Sequence, residues 1–123
     1  MHRSLLFIPG HKLRYIRSLK EFPDILVIDL EDSVPQNKKD IALQATQNFL
    51  EENYYDKGKI YVRITYNNKF IEKKYQKIVN KNLTGFILPK VQNKNDLKLL
   101  LKFVVKQEKL KKIKKKFRLS FIA

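Results

Sequence analysis

Three carboxylates stand within four positions, at Asp29, Glu31 and Asp32, directly after the apolar run ILVI. Acids collected at the end of an apolar segment suit two kinds of chemistry. They can ligate a hard cation through oxygen, or they can orient a cationic side chain that faces a ligand. Arg63, near the end of KIYVRIT, offers a planar fork suited to a carboxylate or a thioester carbonyl. Lys90 closes GFILPK, where it could neutralise developing enolate charge or pair with Asp29, and Lys39 follows the acids. His11 comes directly after Pro9-Gly10; it either faces the same site or is an ordinary loop residue. Nothing in the chain resembles a phosphate-binding glycine loop, a zinc spacing or a Ser-His-Asp order.

The elements that must position these groups alternate in period. Ser4–Pro9 reads as a buried strand stopped by Pro-Gly, and Lys12–Lys20 as a helix carrying Leu13, Ile16 and Leu19. Asp24–Asp32 is the second strand. Asn37–Asn53 is a second helix with Ile41, Ala42, Ala45, Phe49 and Leu50 on one face and Asn37 as its cap. Lys59–Thr65 is the third strand and Lys69–Asn80 the third helix, with Phe70, Ile71, Tyr75, Ile78 and Val79 on its apolar side. Gly85–Val91 gives a fourth strand, Asn93–Lys116 a long Lys-rich helix, and Phe117–Ala123 a fifth strand.

Apolar strands alternating with helices predict a single α/β domain with a parallel sheet. It closes either as an open doubly wound sheet or as part of a (β/α)8 barrel. In both, ligands lie at the carboxyl ends of the strands, which is where the charged residues gather. As a purely structural ion-pair network they would stabilise little, because each desolvated charge costs several kcal/mol. Three acids and two bases at one rim fit an anionic ligand, a divalent cation, or both.

The formal net charge is +15, and Lys90 to Ala123 holds twelve Lys or Arg against two acids. Such clustering raises nucleic acid as a partner. Lys outnumbers Arg 22 to 5, however, and base readers lean on Arg, so a solvated face is expected instead. The chain is 43% hydrophobic with no cysteine, which permits a core and excludes disulfides. No apolar stretch is long enough to span a membrane. SLLFIP is too short for a secretion signal, and a cytoplasmic protein is expected.

Four segments in this order resemble the citrate lyase beta subunit and its relatives in the HpcH/HpaI aldolase family: Arg3–Gly10 (RSLLFIPG), Ile28–Val34 (IDLEDSV) with Lys39, Val62–Ile64 (VRI) and Gly85–Val91 (GFILPKV). The resemblance covers essentially the whole chain. It implies the N-terminal half of a TIM (β/α)8 barrel, about 4.5 βα units of a fold that needs about 200 residues or more. It also implies Mg2+-dependent carbon–carbon cleavage or formation in a hydroxy acid or acyl thioester, with acyl-CoA or hydroxy-acid substrates. By the same resemblance Arg63 binds substrate, while Arg3, Asp29, Glu31, Asp32, Lys39 and Lys90 form the supporting wall.

Departures accompany the matches. Leu43 stands where the family usually has Arg, Thr65 where Asn is usual, and Gln92 where Glu is common. The carboxylates that ligate Mg2+ in the family lie at the ends of strands five and six, and this sequence shows no counterpart. A chain without them is expected to have little or no activity alone and to bind Mg2+ poorly. Its uncovered sheet edges would make it oligomerise, pair with a separate C-terminal half, or persist as a remnant. A non-catalytic alternative uses Lys94, Lys98, Lys102 and Lys106, at i, i+4 spacing, to hold CoA phosphates, an acidic partner or RNA.

Overall fold

Strand after strand, the chain adds to one edge of a growing parallel sheet. A computed structural model gives this architecture, and the structure describes residues 4–52, 58–64, 73–88, 102, 105–106, 109 and 118–121. The strands are β1 (Leu5–Pro9), β2 (Ile25–Asp29), β3 (Lys59–Arg63), β4 (Gly85–Leu88) and β5 (Arg118–Phe121), arranged β1-β2-β3-β4-β5. Every pairing is parallel. The register sets Ile28 beside Ile8 and Val62, and Asp29 beside Arg63. This is the α/β fold expected from the alternating pattern.

Alternate strand residues build the core. Ile8, Leu26, Ile28, Ile60, Val62, Phe86 and Leu88 pack with Leu13 and Ile16, with Ala42, Phe49 and Leu50, and with Tyr75 and Ile78. Removing such apolar surface from water supplies the main drive for the fold. The opposite face carries Leu5, Phe7, Val27, Asp29 and Arg63 by the two-residue alternation of strands. There Leu5 and Phe7 remain 56% and 51% exposed, while Val27 is buried.

The helical layer departs from expectation in three places. A 3-10 segment, Gly10–Ser18, follows β1 in place of an α-helix over 12–20, and it is kinked at Lys12. Its apolar residues recur at i, i+3 only, which matches three residues per turn; Leu13 and Ile16 are buried, while Leu19 lies past its end and is exposed. Gly10 starts this segment because a Cβ there would meet Leu30 Cδ2 at 2.6 Å and Ala42 Cβ at 3.0 Å.

The second helix is α1 (Lys39–Glu52), preceded by the short 3-10 turn Gln36–Lys38. Asn37 lies inside that turn, so it is not the cap; Pro35 occupies the position before it, and no side-chain cap bond forms. The buried face of α1 is Ala42, Leu43, Thr46, Phe49 and Leu50. Ile41 is 60% exposed and points away from the core side. Thr46 takes the place expected for an apolar residue because its hydroxyl donates to the Ala42 carbonyl at 2.8 Å, which removes the cost of burying it.

The third correction is a 3-10 turn, Lys73–Ile78, where an α-helix was expected; it buries Tyr75 and Ile78, again three residues apart, with Val79 buried beside it. Residues 69–72 of the expected third helix, with Phe70 and Ile71, lie outside the described residues. So does most of the expected helix over 93–116, including Lys94 and Lys98. Lys102, Val105, Lys106 and Lys109 are helical and exposed. No helix among the described residues is long and apolar enough to cross a membrane.

Candidate functional site

The carboxyl ends of β2 and β3 bring two opposite charges side by side. Both residues close their strands, and parallel register makes them partners across 34 positions of sequence. The Arg63 guanidinium donates from Nε to Asp29 Oδ1 at 2.8 Å and from Nη2 to Oδ2 at 2.7 Å. This is the two-point geometry that a carboxylate and a guanidinium favour.

Beyond β2 the chain turns back over its own last residue. The backbone N–H of Glu31 donates to Asp29 Oδ1 at 2.9 Å, and that of Ser33 to Oδ2 at 3.0 Å. The Ser33 hydroxyl adds a short bond to Oδ2 at 2.5 Å. Asp29 thus organises the DLEDS turn as well as Arg63. Lys39, the first residue of α1, donates from Nζ to the Glu31 carbonyl at 3.1 Å and ties the turn to the helix.

The electrostatics follow from these contacts. Burial pushes the Asp29 carboxyl up, but bonds from Arg63, Ser33 and the two backbone N–H groups outweigh it and hold it at about 2. The bond to Asp29 pushes Arg63 further up, against the opposing effect of burial. Glu31 behaves oppositely. Burial raises it, nearby Asp32 and Asp29 add to the rise, and Arg63 and Lys39 only partly offset it. Glu31 Oε2 lies 3.8 Å from Arg63 Nε, and Asp32 Oδ2 lies 3.9 Å from Nη2. The Asp29 and Arg63 side chains are 5% and 21% exposed, whereas that of Asp32 is 82% exposed.

Of the residues singled out in sequence, the structure brings Asp29, Glu31, Asp32, Lys39 and Arg63 together. Arg3 and Lys90 lie outside the described residues. Sequence offered Asp29 a pairing with Lys90, which lies outside the described residues; the described partner is Arg63. His11 is half-buried in the first 3-10 segment, with Nδ1 buried and without a hydrogen-bond partner among the described residues. Burial and the nearby Lys38 and Lys12 lower its pKa. Ser33 was missed, although an Asp followed by a hydroxyl residue past a strand end is a recognisable turn signal.

Two chemical consequences follow. Arg63 has five N–H donors and spends two on Asp29, so Nη1 and the second N–H of Nη2 make no hydrogen bond among the described residues. That edge of the fork points away from Asp29. The carboxylates, by contrast, do not fit a hard cation by themselves. Both Asp29 oxygens are taken, and no three potential ligands converge among the described residues.

The sequence model of the HpcH/HpaI aldolase/citrate lyase family matches residues 3–119. No curated protein matches the chain. Among solved structures, Haloferax volcanii malate synthase in its magnesium/glyoxylate complex superposes with a TM-score of 0.78 at 19% identity, covering 97% of this chain and 41% of that one. The pyruvate/acetyl-CoA ternary complex of the same enzyme gives 0.78 at 19% identity, with 97% and 39% covered. The chain therefore spans about two fifths of the length of these structures, and its fold corresponds to part of a TIM-barrel-like domain.

Proposed function

The chain belongs to the HpcH/HpaI aldolase/citrate lyase family, and on that footing we propose that it is a citrate lyase beta-like protein carrying the substrate-side part of a carbon–carbon lyase site. The observation that supports this is the Arg63 fork, fixed on one edge by Asp29 and without a hydrogen bond on the other among the described residues.

Aldol-type cleavage of a hydroxy acid or acyl thioester leaves an electron pair conjugated with a carbonyl, so negative charge grows on the carbonyl oxygen. A guanidinium already fixed in place stabilises that charge without reorganising. In this reading Arg63 receives the oxygen and Asp29 holds the fork. Ser33, Glu31 and Lys39 keep the turn in place. Asp32 and Lys90 complete the wall.

In relatives, Mg2+ supplies polarisation of the 2-oxo acid. The described carboxylates do not fit such an ion, so we propose that the chain alone binds Mg2+ weakly and cleaves poorly or not at all. Calorimetry with Mg2+ is expected to give no saturable heat, and citryl or malyl thioesters to survive incubation with the purified chain. Robust Mg2+-dependent cleavage would overturn this part of the proposal.

The exposed apolar side chains of β1 support a further element. Leu5 and Phe7 are suited to association with a second copy of the chain. Light scattering on a size-exclusion column is expected to find an oligomer, and a stable dilute monomer would contradict it.

A second reading, a non-catalytic module for CoA phosphates, an acidic partner or nucleic acid, draws on Lys102, Lys106 and Lys109, all helical and exposed. A steep salt slope in RNA binding would favour nucleic acid.

A further inference from the structure

We infer that Glu31 makes the Arg63 site select by charge, favouring the neutral carbonyl oxygen of an acyl thioester over a free carboxylate. This deepens the proposed function and rests on its reading of Arg63 as the ligand-binding group.

The argument begins with the charges that face one another. Asp29 on β2 already neutralises Arg63 on β3 through two hydrogen bonds. Glu31 and Asp32, in the turn after β2, place two more carboxylates 3.8 and 3.9 Å from the same guanidinium. Lys39 on α1 is the other cation among the described residues, and its ammonium is bonded to the Glu31 carbonyl. Among the described residues, three carboxylates therefore meet two cations before any ligand arrives. A ligand carboxylate would bring a further negative charge to this cluster. A neutral carbonyl oxygen accepts the same guanidinium N–H groups without that repulsion.

Exposure decides which acid matters. The Asp32 side chain is 82% exposed, so water and salt screen it. The Glu31 side chain is 19% exposed, and its charge acts across a drier gap. The Glu31 carboxylate makes no hydrogen bond among the described residues, whereas its backbone N–H and carbonyl hold the turn. Glu31→Gln thus removes the charge and leaves the turn's bonds in place. The raised pKa of Glu31 agrees with this crowding of charge.

The experiment is an NMR titration of the whole chain in metal-free buffer, following the Arg63 Nε–H resonance. Pyruvate and its neutral isostere pyruvamide form one pair, and S-acetyl-N-acetylcysteamine stands for the thioester. In the wild-type chain the two neutral probes are expected to bind more tightly than pyruvate. Glu31→Gln is expected to tighten pyruvate about tenfold and to leave the neutral probes within about twofold, whereas Asp32→Asn changes pyruvate by about twofold or less. In the unmutated chain, pyruvate, which stays ionised, is expected to bind more tightly as pH falls through the raised pKa of Glu31. Pyruvate affinity unchanged by both Glu31→Gln and pH would overturn the inference while leaving Arg63 as the binding group. If none of the three probes moves the resonance in either protein, the Arg63 reading falls, and charge selection falls with it.

Discussion

The two ends of the same sheet are held by different physics. At the amino-terminal rim the strand starts are tied by single hydrogen bonds from backbone N–H groups to side-chain oxygens. The Asp24 carboxylate accepts the Ser4 N–H at 3.0 Å, the Ser4 hydroxyl accepts the Asp24 N–H at 2.9 Å, and the Thr84 hydroxyl accepts the Ile60 N–H at 3.0 Å. These contacts close backbone donors that would otherwise be unmet, each for a small gain. At the carboxyl-terminal rim a nearly buried ion pair carries four polar neighbours within two turns of chain. That arrangement is costly to desolvate and repays the cost only when complete. In parallel α/β folds the carboxyl-terminal end is also where ligands bind. A rim that needed stability alone would resemble the amino-terminal one.

The comparison can be broken most directly at Arg63. Arg63→Ala leaves the Asp29 carboxylate buried with its charge uncompensated, and a loss of about 3 kcal/mol is expected in urea denaturation. If the loss is no larger than at the amino-terminal rim, the two ends do not differ as described.

Acid sharpens the same contrast. Asp29 titrates at about 2 in the folded chain against 3.8 for the free group. Its ionised form is therefore favoured by folding, and the resulting stability is complete above 3.8 and is lost as pH falls from there toward 2. The expected contribution is about 2 kcal/mol, and Asp29→Asn should abolish that segment of the pH–stability curve. Glu31 works with the opposite sign. Its raised pKa means that folding penalises its ionised form, so Glu31→Gln is expected to stabilise the chain slightly near neutral pH and to lose that advantage once Glu31 itself is protonated.

The smaller effects belong to the other rim. Thr84→Val keeps the shape and removes the acceptor for the Ile60 N–H, with an expected cost of about 1 kcal/mol. Ser4→Ala, at an exposed contact, is expected to cost about 0.5 kcal/mol. Neither should alter pyruvamide binding; if either does, the division of labour between the rims is wrong.

Much of this was legible in sequence, for stated reasons. Runs such as ILVI, apolar on both faces, and KIYV, with Ile60 and Val62 alternating, carry the strand period, so strands and their order were readable. The gathering of Asp29, Glu31, Asp32 and Arg63 at one rim followed from that order. Their pairing did not, because register is set by the whole sheet. The bond from Asp29 to Arg63 becomes visible only in the alignment of β2 with β3. The first 3-10 segment was misread because an i, i+3 apolar pattern also lies within the α-helical repertoire. The absence of a fourth-position partner after Leu13 and Ile16 was the distinguishing sign. Thr46 and Ile41 show the remaining gap: a hydroxyl that finds a carbonyl one turn back can outrank an isoleucine for a buried place.

Strand order equal to chain order has an evolutionary consequence. Each strand-and-helix unit touches mainly the next, and the described rim gains its charged residues unit by unit: the acids after the second strand, Lys39 on the helix that follows, Arg63 on the third. A site assembled in this serial way is nonetheless bonded across its units, so exchanging the unit that carries Arg63 would strip Asp29 of its partner. Chemistry in such a fold is inherited in instalments, and an instalment that pairs across a boundary, as Asp29 does with Arg63, changes together with its partner.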